Sequence, residues 1–291
     1  MSWVEAAPAK INLFLHVGPV EADGYHPLCS LVAFADVGDT LTLDPDGPFG
    51  LSIVGPFAEA LTGELERQGG NLVLRALTAF DTLTSLDSRR LSLTLDKRLP
   101  LAAGLGGGSA DAAAALRLAR RALAPDLADQ VLLNASRVAG ADGPMCVRSE
   151  TAWAEGRGEV LKPEPRLPTL HAVLVNPGVP SPTGAVYGAY DRLGVGQADR
   201  PADPARWDAE TIIAWLAEQR NDLEAPALLN SPAIGTALDA VRAEGQARLV
   251  RMSGSGATVF GLYADAIAAA RAAQAIEADY PGWWVRQARL G

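Results

Sequence analysis

An α+β fold is what the sequence predicts, and three observations lead to it. Short stretches alternating apolar and polar residues stand among alanine-rich stretches with helical spacing. The two kinds follow one another in mixed order rather than as regular βαβ units, which disfavours a doubly wound parallel sheet. A proline-rich patch, "KPEPRLP" at 162–168, interrupts the chain and sets an expected boundary between domains at 1–162 and 163–291.

In chain order, "KINLFLHV" is predicted as a half-buried strand. Ile11, Leu13, Leu15 and Val17 point one way, and Asn12, Phe14 and His16 the other. "LVAFA", "DTLTLD" and "LSIVG" read as three further short strands between Gly, Pro and Asp turns. "NLVLRALTAFDTL" has helical spacing, with Asn71 as N-cap. "LSLTLD" returns to alternation and feeds "LPLAAGLGGGSADAAAALRLARRAL", a glycine loop opening into a helix that ends near Leu123. A second helix is expected from Asp126 towards Val138, and "TAWAEGRGEVL" as a hairpin. Beyond the proline patch, "LHAVLVNP" reads as a buried strand. Helices are expected near 183–193, 210–218 and in "PAIGTALDAVRAEG". "ARLVRMSGSGATVFGLYA" reads as strand, glycine turn, strand; a helix at 265–278 and the strand "WWVRQARL" finish the chain. Which domain that last strand joins is open from sequence.

Composition narrows the function classes. Of the 291 residues, 48% are hydrophobic and 20% charged, so a packed core is expected rather than disorder. A net charge of −9, with the basic residues scattered, argues against nucleic-acid binding. Cys29 and Cys146 stand far apart without metal-ligand spacing, which predicts two buried thiols. The N-terminus does not have the pattern of a signal peptide, and no apolar run has membrane-spanning length; a cytoplasmic protein with no membrane contact is expected. Only Lys10, Lys97 and Lys162 are lysine among 25 basic residues, a hint that a compact ammonium matters at those positions.

The glycine loop carries the strongest chemical signal. Gly104, Gly106, Gly107 and Gly108 precede Ser109 at a helix start, where free N–H groups and the positive dipole end can close on phosphate oxygens. The chain contains no Gly-Lys dipeptide, which excludes a P-loop, and Ser109 stands where the third glycine of a dinucleotide fingerprint would be. "MSGSGATVF" offers a second, weaker set of donors. Lys10 and Asn12 share a strand face. Tyr25 and His26 sit in a turn where an aromatic ring can stack on a base and a histidine can read its edge. Asp142 lies between Gly140 and Gly143, in what reads as a tight turn.

Taken in order, "PAKINLFLHV…DGYHPL", "LPLAAGLGGGSADAAAAL", "GADGPM…AWAEGRGEVL", "NPGVPSPTGAVY", "RNDLEAPAL" and "MSGSGATVFGLY" resemble the GHMP kinase superfamily of small-molecule kinases, from about residue 6 to 263. Within it, "PAKINL" with "DGYH" points to the branch acting on a cytidine diphosphate sugar-alcohol in non-mevalonate isoprenoid precursor synthesis. The resemblance implies a two-domain α+β kinase fold, ribosomal protein S5-like at the N-terminus and ferredoxin-like at the C-terminus. The first domain would bind ATP and the second would lie on the substrate side. It implies ATP and Mg²⁺ as cofactors, with the metal ligands open, and a monomer or weak homodimer.

The same resemblance implies the site residues. Asp142 would be the catalytic base, with Lys10 stabilising charge on the reacting oxygens. Asn71, Leu72, Lys97, Leu101, Ala102, Ala103, Gly104, Leu105, Gly106, Gly107, Gly108, Ser109 and Asp111 would line the nucleotide. Asn12, Tyr25, His26, Thr183, Tyr187, Ser253 and Gly254 would meet the alcohol substrate, Tyr187 sandwiching its cytosine. Three departures from the family pattern stand out. Ala110 replaces a serine of "GGGSSDAA", which would remove a hydroxyl near ATP. Gly143, Met145 and Cys146 replace bulkier apolar groups, which would loosen packing around Asp142. Asp111 is a rival acid close to the phosphates, either a charge in the helix's first turn or a metal contact, with the helix role preferred. The alternatives are a homoserine or mevalonate kinase, or a nucleotide-binding protein of the same fold without activity.

Overall fold

The structure is a computed structural model that describes residues 2–68, 70–194 and 196–291. The chain forms β1 (Trp3–Val17), β2 (Leu28–Leu43), β3 (Gly50–Val54), α1 (Ala58–Gln68), α2 (Leu72–Thr84), β4 (Ser92–Asp96), α3 (Gly107–Leu123), α4 (Asp129–Ser136) and α5 (Asp142–Arg148). There follow β5 (Ala152–Gly156), β6 (Val160–Pro163), β7 (Leu170–Asn176), α6 (Thr183–Leu193), α7 (Ala209–Ala217), α8 (Glu224–Asn230), α9 (Ala233–Ala243), β8 (Leu249–Met252), β9 (Val259–Tyr263), α10 (Ala266–Asp279) and β10 (Trp284–Leu290). The mixed order is the α+β order expected.

Two of the expected strands merge. "LVAFA" and "DTLTLD" are one strand, β2, because Gly38 lets the chain continue where a side chain cannot fit: a Cβ there would lie 2.3 Å from the Ala7 carbonyl oxygen. β1 is not half-buried. Every residue from Lys10 to Val17 is buried, so its alternation does not separate core from solvent.

By compactness the chain divides into two units. The first comprises Met1–Ala9, Gly38–Leu101 and Gly106–Ser149; the second Lys10–Val37, Ala102–Leu105 and Glu150–Gly291. The division therefore follows the long strands, since β1 and β2 each supply residues to both units, and it does not run along the chain as a cut at residue 162 would.

In the first unit, β4 pairs parallel with β3 and antiparallel with Thr40–Leu43 of β2. Helix α3 packs against α2 and α5. Its alanines at 110, 112–115 and 119 are buried, and side chains that small allow close helix approach. Arg117 then ties α5 to β1: it donates to the Cys146 and Val147 carbonyls at 3.0 and 3.2 Å, and to Glu5 and the Ala6 carbonyl.

In the second unit, β7 is flanked by β10 and β9, both antiparallel, and β8 pairs with β9. The C-terminal strand thus joins this unit, where it also meets Ala35 of β2. β7 and β9 are buried along almost their whole length, as their near-continuous apolar sequences require. Val173, Val175 and Val259 pack with Ile234, Leu238 and Val241 of α9. Cys29 and Cys146 are free and buried. Among the described residues no helix is long and apolar enough to cross a membrane.

Candidate active site

Two helix starts in the first unit are built differently. Asn71 caps α2 with its own side chain, accepting the Val73 N–H at 2.8 Å. Helix α3 begins at Gly106, which is left-handed (φ +63°) and has no side chain with which to cap. The first bond into the helix runs from Ala110 N–H to the Gly106 carbonyl, at 2.9 Å. The N–H groups of Gly107, Gly108 and Ser109 precede it, in the turn whose donors have no partner within a helix. The Ser109 hydroxyl donates to the Ala139 carbonyl at 3.0 Å, so it is the backbone that is offered here. A Cβ on Gly108 would lie 2.9 Å from the Leu72 side chain, which brings the two helix starts together.

Beneath this helix start lies a buried ion triad. Lys97 Nζ donates to Asp39 Oδ2 at 2.5 Å and to Asp111 Oδ2 at 2.7 Å. Asp39 Oδ1 accepts the backbone N–H groups of Arg98 and Leu99. Burial alone would lower the Lys97 pKa, but the two carboxylates outweigh it and hold it above its ordinary value. Burial pushes Asp111 up to about 8 against the pull of Lys97, and Asp39 adds to the rise. Asp111 is the fifth residue of α3. It is therefore not a first-turn charge; its carboxylate is spent on Lys97, and its Oδ1 is buried without a hydrogen-bond partner. Asp39 was not singled out in the sequence, because a buried acid in a strand looks like any polar residue of an alternating pattern.

The middle of the glycine loop belongs to the second unit and is held by backbone contacts. Leu105 accepts from Lys10 N–H, Ala103 from Thr258 N–H, and Gly104 from the Ser253 hydroxyl at 3.1 Å. Gly104 is left-handed (φ +72°), and a Cβ on it would lie 2.3 Å from the Ser253 carbonyl oxygen. The two glycine-rich stretches of the sequence therefore pack on one another, which accounts for part of the glycine density without any ligand. The Ser253 hydroxyl also accepts the Asn12 N–H, at 3.1 Å. Asn12 is held at both ends of its amide: its Oδ1 accepts from Lys10 Nζ at 2.9 Å, and its Nδ2 donates to the Ser30 hydroxyl at 2.7 Å. Ser30 in turn donates to the Phe14 carbonyl. Asn221, not assigned a role from sequence, donates to the carbonyls of Met252 and Gly254 and so fixes the second glycine turn.

The aromatic residues form their own group in the second unit. His26 stacks on Tyr187, ring centroids 4.9 Å apart and planes 30° apart. His26 Nδ1 lies 3.0 Å from the Gly18 carbonyl, which requires its proton on Nδ1, and Nε2 lies 3.4 Å from Asp191. Tyr25 is exposed, with the Arg157 guanidinium 4.6 Å over its ring. Thr183 opens α6 and hydrogen-bonds the Ser255 hydroxyl at 2.9 Å. Asn12, Ser253 and Gly254 are thus placed together with Lys10 and Gly104, whereas His26 and Tyr187 pair with each other.

Asp142 is not in a tight turn. It is the first residue of α5, after Ala141 as N-cap. Gly143 and Pro144 signal a turn in sequence, yet both fit a first helical turn, where proline lacks only an N–H that would go unpaired. Nor does Gly143 loosen the packing: a Cβ on it would lie 2.0 Å from the Ser136 carbonyl oxygen, so the glycine is what lets α5 press against the end of α4.

Comparison with known proteins decides the family. Residues 71–150 match the GHMP kinases N terminal domain, and residues 208–282 the GHMP kinases C terminal domain. A 4-diphosphocytidyl-2-C-methyl-D-erythritol kinase of Caulobacter vibrioides is 52% identical over 288 residues, covering 98% of each chain. The chain belongs to this family of GHMP kinases. A crystal structure of a 4-(cytidine 5'-diphospho)-2C-methyl-D-erythritol kinase superposes with a TM-score of 0.79, at 34% identity over 99% of both chains. A homoserine kinase from Cytophaga hutchinsonii, 18% identical over 98% of this chain and 94% of its own, shares the fold with a TM-score of 0.65. In this GHMP kinase, Ala110 is 1% exposed. A hydroxyl at that position would sit inside the helix packing rather than on an open face.

The residues present fit a nucleotide phosphate at α3, a helix of 17 residues where the capping position is glycine and the N–H groups of Gly107, Gly108 and Ser109 precede the first helical bond. No group of three or more acidic, His or Cys side chains stands together as a metal cage among the described residues. A magnesium ion carried on phosphate oxygens requires only one or two carboxylates.

Proposed function

We propose that this GHMP kinase transfers the γ-phosphate of ATP to the 2-hydroxyl of 4-diphosphocytidyl-2-C-methyl-D-erythritol, giving the 2-phosphate and ADP, in non-mevalonate isoprenoid precursor biosynthesis. The observation that carries this reading is the 52% identity, over nearly the whole of both chains, to a kinase of that name.

In this reading the chain's residues divide the work as follows. The N–H groups of Gly107, Gly108 and Ser109 bind the triphosphate, with Leu101–Gly106 shaping the loop that leads to them. Asn71, Leu72, Lys97 and Asp111 support the nucleotide side. Asp142 takes the proton of the substrate hydroxyl as its oxygen attacks the γ-phosphorus and ADP departs. Lys10 stabilises the negative charge on the reacting oxygens. Mg²⁺, held with the phosphates, supplies charge neutralisation that an acidic chain does not. Tyr25, His26 and Tyr187 receive the cytosine; Asn12, Thr183, Ser253 and Gly254 face the rest of the alcohol substrate. A base-reading group of stacked His26 and Tyr187 favours this substrate over homoserine or mevalonate, neither of which carries a ring to stack. The protein works in the cytoplasm as a monomer or weak homodimer, its 1–162 region serving ATP and, through Asn12, Tyr25 and His26, part of the alcohol, and its 163–291 region serving the rest of the alcohol.

The test is ADP release over a substrate panel, wild type against Asp142→Ala. The diphosphocytidyl alcohol is expected to be the preferred acceptor, and Asp142→Ala to lower kcat by about 10²–10⁴-fold. Unchanged turnover in that variant would overturn the base assignment. Preference for homoserine or mevalonate would overturn the substrate.

A further inference from the structure

The segment from Lys97 to Gly106 enters the glycine loop from β4 and leaves it into α3. It contains three left-handed residues, Ala102 (φ +46°), Gly104 (φ +72°) and Gly106 (φ +63°), the first with a side chain. Backbone of this kind persists only where its surroundings over-determine it. The entrance is fixed by Asp39: Oδ1 accepts from Arg98 N–H at 2.5 Å and Leu99 N–H at 2.8 Å, and Oδ2 from Lys97 Nζ at 2.5 Å. Lys97 is immobilised through its backbone as well, donating to the Val54 carbonyl at 2.8 Å and accepting from Phe57 N–H at 3.1 Å. Its ammonium then reaches across to Asp111 on α3. A Cβ on Gly107 would lie 3.2 Å from Lys97 Nζ and 3.6 Å from Asp39 Oδ2, so the triad lies directly under the first residue of the helix.

We propose that Asp39 is a positioning residue for ATP: by clamping Lys97 and the amides of Arg98 and Leu99 it sets the entrance of the loop, and through Lys97 it sets the height of the α3 N–H groups that bind the triphosphate. This rests on the reading of that helix start as the phosphate site. Asp39 outranks Asp111 in the device because it makes three bonds to the loop entrance. Asp111 makes one and leaves Oδ1 unpartnered.

The two substrates separate the roles experimentally. Asp39→Asn places an amide NH2 where the Lys97 ammonium needs an acceptor. Steady-state kinetics are expected to show KM for ATP raised at least about tenfold in Asp39→Asn, with KM for the alcohol unchanged. A folded Asp39→Asn with wild-type KM for ATP would overturn the proposal, as would an equal rise in KM for the alcohol.

Amide hydrogen exchange of the wild-type protein, with and without a non-hydrolysable ATP analogue, needs no variant to fold. Arg98 and Leu99 amides are expected to be protected before nucleotide is added, and Gly107–Ser109 only afterwards. Unprotected Arg98 and Leu99 amides in the free protein would sink the positioning role. No gain at Gly107–Ser109 would instead sink the phosphate-site reading, leaving the two failures distinct.

Discussion

Lys10 and Lys97 look alike in the sequence, two rare lysines in an arginine-rich chain, and both are buried, yet they are held in opposite ways. Lys97 lies between two carboxylates, and its charge is consumed in holding the entrance of the glycine loop. Lys10 donates to an amide oxygen, that of Asn12, which is itself fixed by Ser30. Lys97 pins the loop entrance to α3, whereas Lys10 is set on a polar chain that runs through Asn12 and Ser30 to the Phe14 carbonyl.

The largest expected effect tests Lys10. Lys10→Met should lower kcat by about 10²–10³-fold, the scale of losing one charge stabiliser in a phosphoryl-transfer site. An unchanged kcat would remove Lys10 from the reacting group. Next comes Lys97→Met, which strands two buried carboxylates and should cost about 3–5 kcal/mol in urea denaturation. Adding Asp111→Asn should recover part of that loss, since the amide gives the buried Asp39 carboxylate a donor in place of Lys97. If the double variant is no more stable than the single one, the triad is not an electrostatic unit.

Smaller again is Gly104→Ala. It forces a side chain into a left-handed position facing the Ser253 carbonyl, and a loss of about 1–3 kcal/mol is expected in the same measurement. A neutral result would show that the two glycine turns are less closely packed than the geometry requires.

The smallest effect concerns His16, on the same strand as Lys10. Burial lowers its pKa below 6.5, outweighing its hydrogen bond to the Asp199 carbonyl, and Nε2 has no partner. The folded state thus resists the proton that the unfolded state accepts. Stability is complete above pH 6.5 and falls as the pH drops below it, with a slope of at most about 1.4 kcal/mol per pH unit. Melting curves between pH 7 and 5 should show this fall, and His16→Gln should flatten it. An unchanged slope in the variant would move the effect to another group.

Local chemistry made much of this molecule legible. Asn71 announced the start of α2, the glycine run announced the start of α3, alternation found β4, and "LHAVLVNP", "ATVFGLYA" and "WWVRQARL" were readable as the strands β7, β9 and β10. Helices α1 and α8 escaped, being short segments whose spacing does not stand out, and α5 was hidden by a Gly-Pro pair that a first helical turn accepts. Lys10, His26, Tyr187 and Asp142 were nameable as candidate site residues from the resemblance of the ordered motifs. Asp39 and Asn221 were not, because their roles arise from what folding brings beside them: Lys97 and two amides in one case, two carbonyls of a distant turn in the other.

By itself, then, the sequence determined the α+β class and the place where backbone donors gather, since these follow from spacing and composition within a few residues, and it carried the family through the resemblance of its ordered motifs. Tertiary structure alone decided what each buried charge is set against. It put Lys97 between carboxylates 58 and 14 positions away and set Gly104 against Ser253. It gave Gly143 to helix packing and joined the last strand to β7. Burial and partnership are properties of segments distant in the chain, and no local pattern encodes the desolvation that gives a buried charge its role.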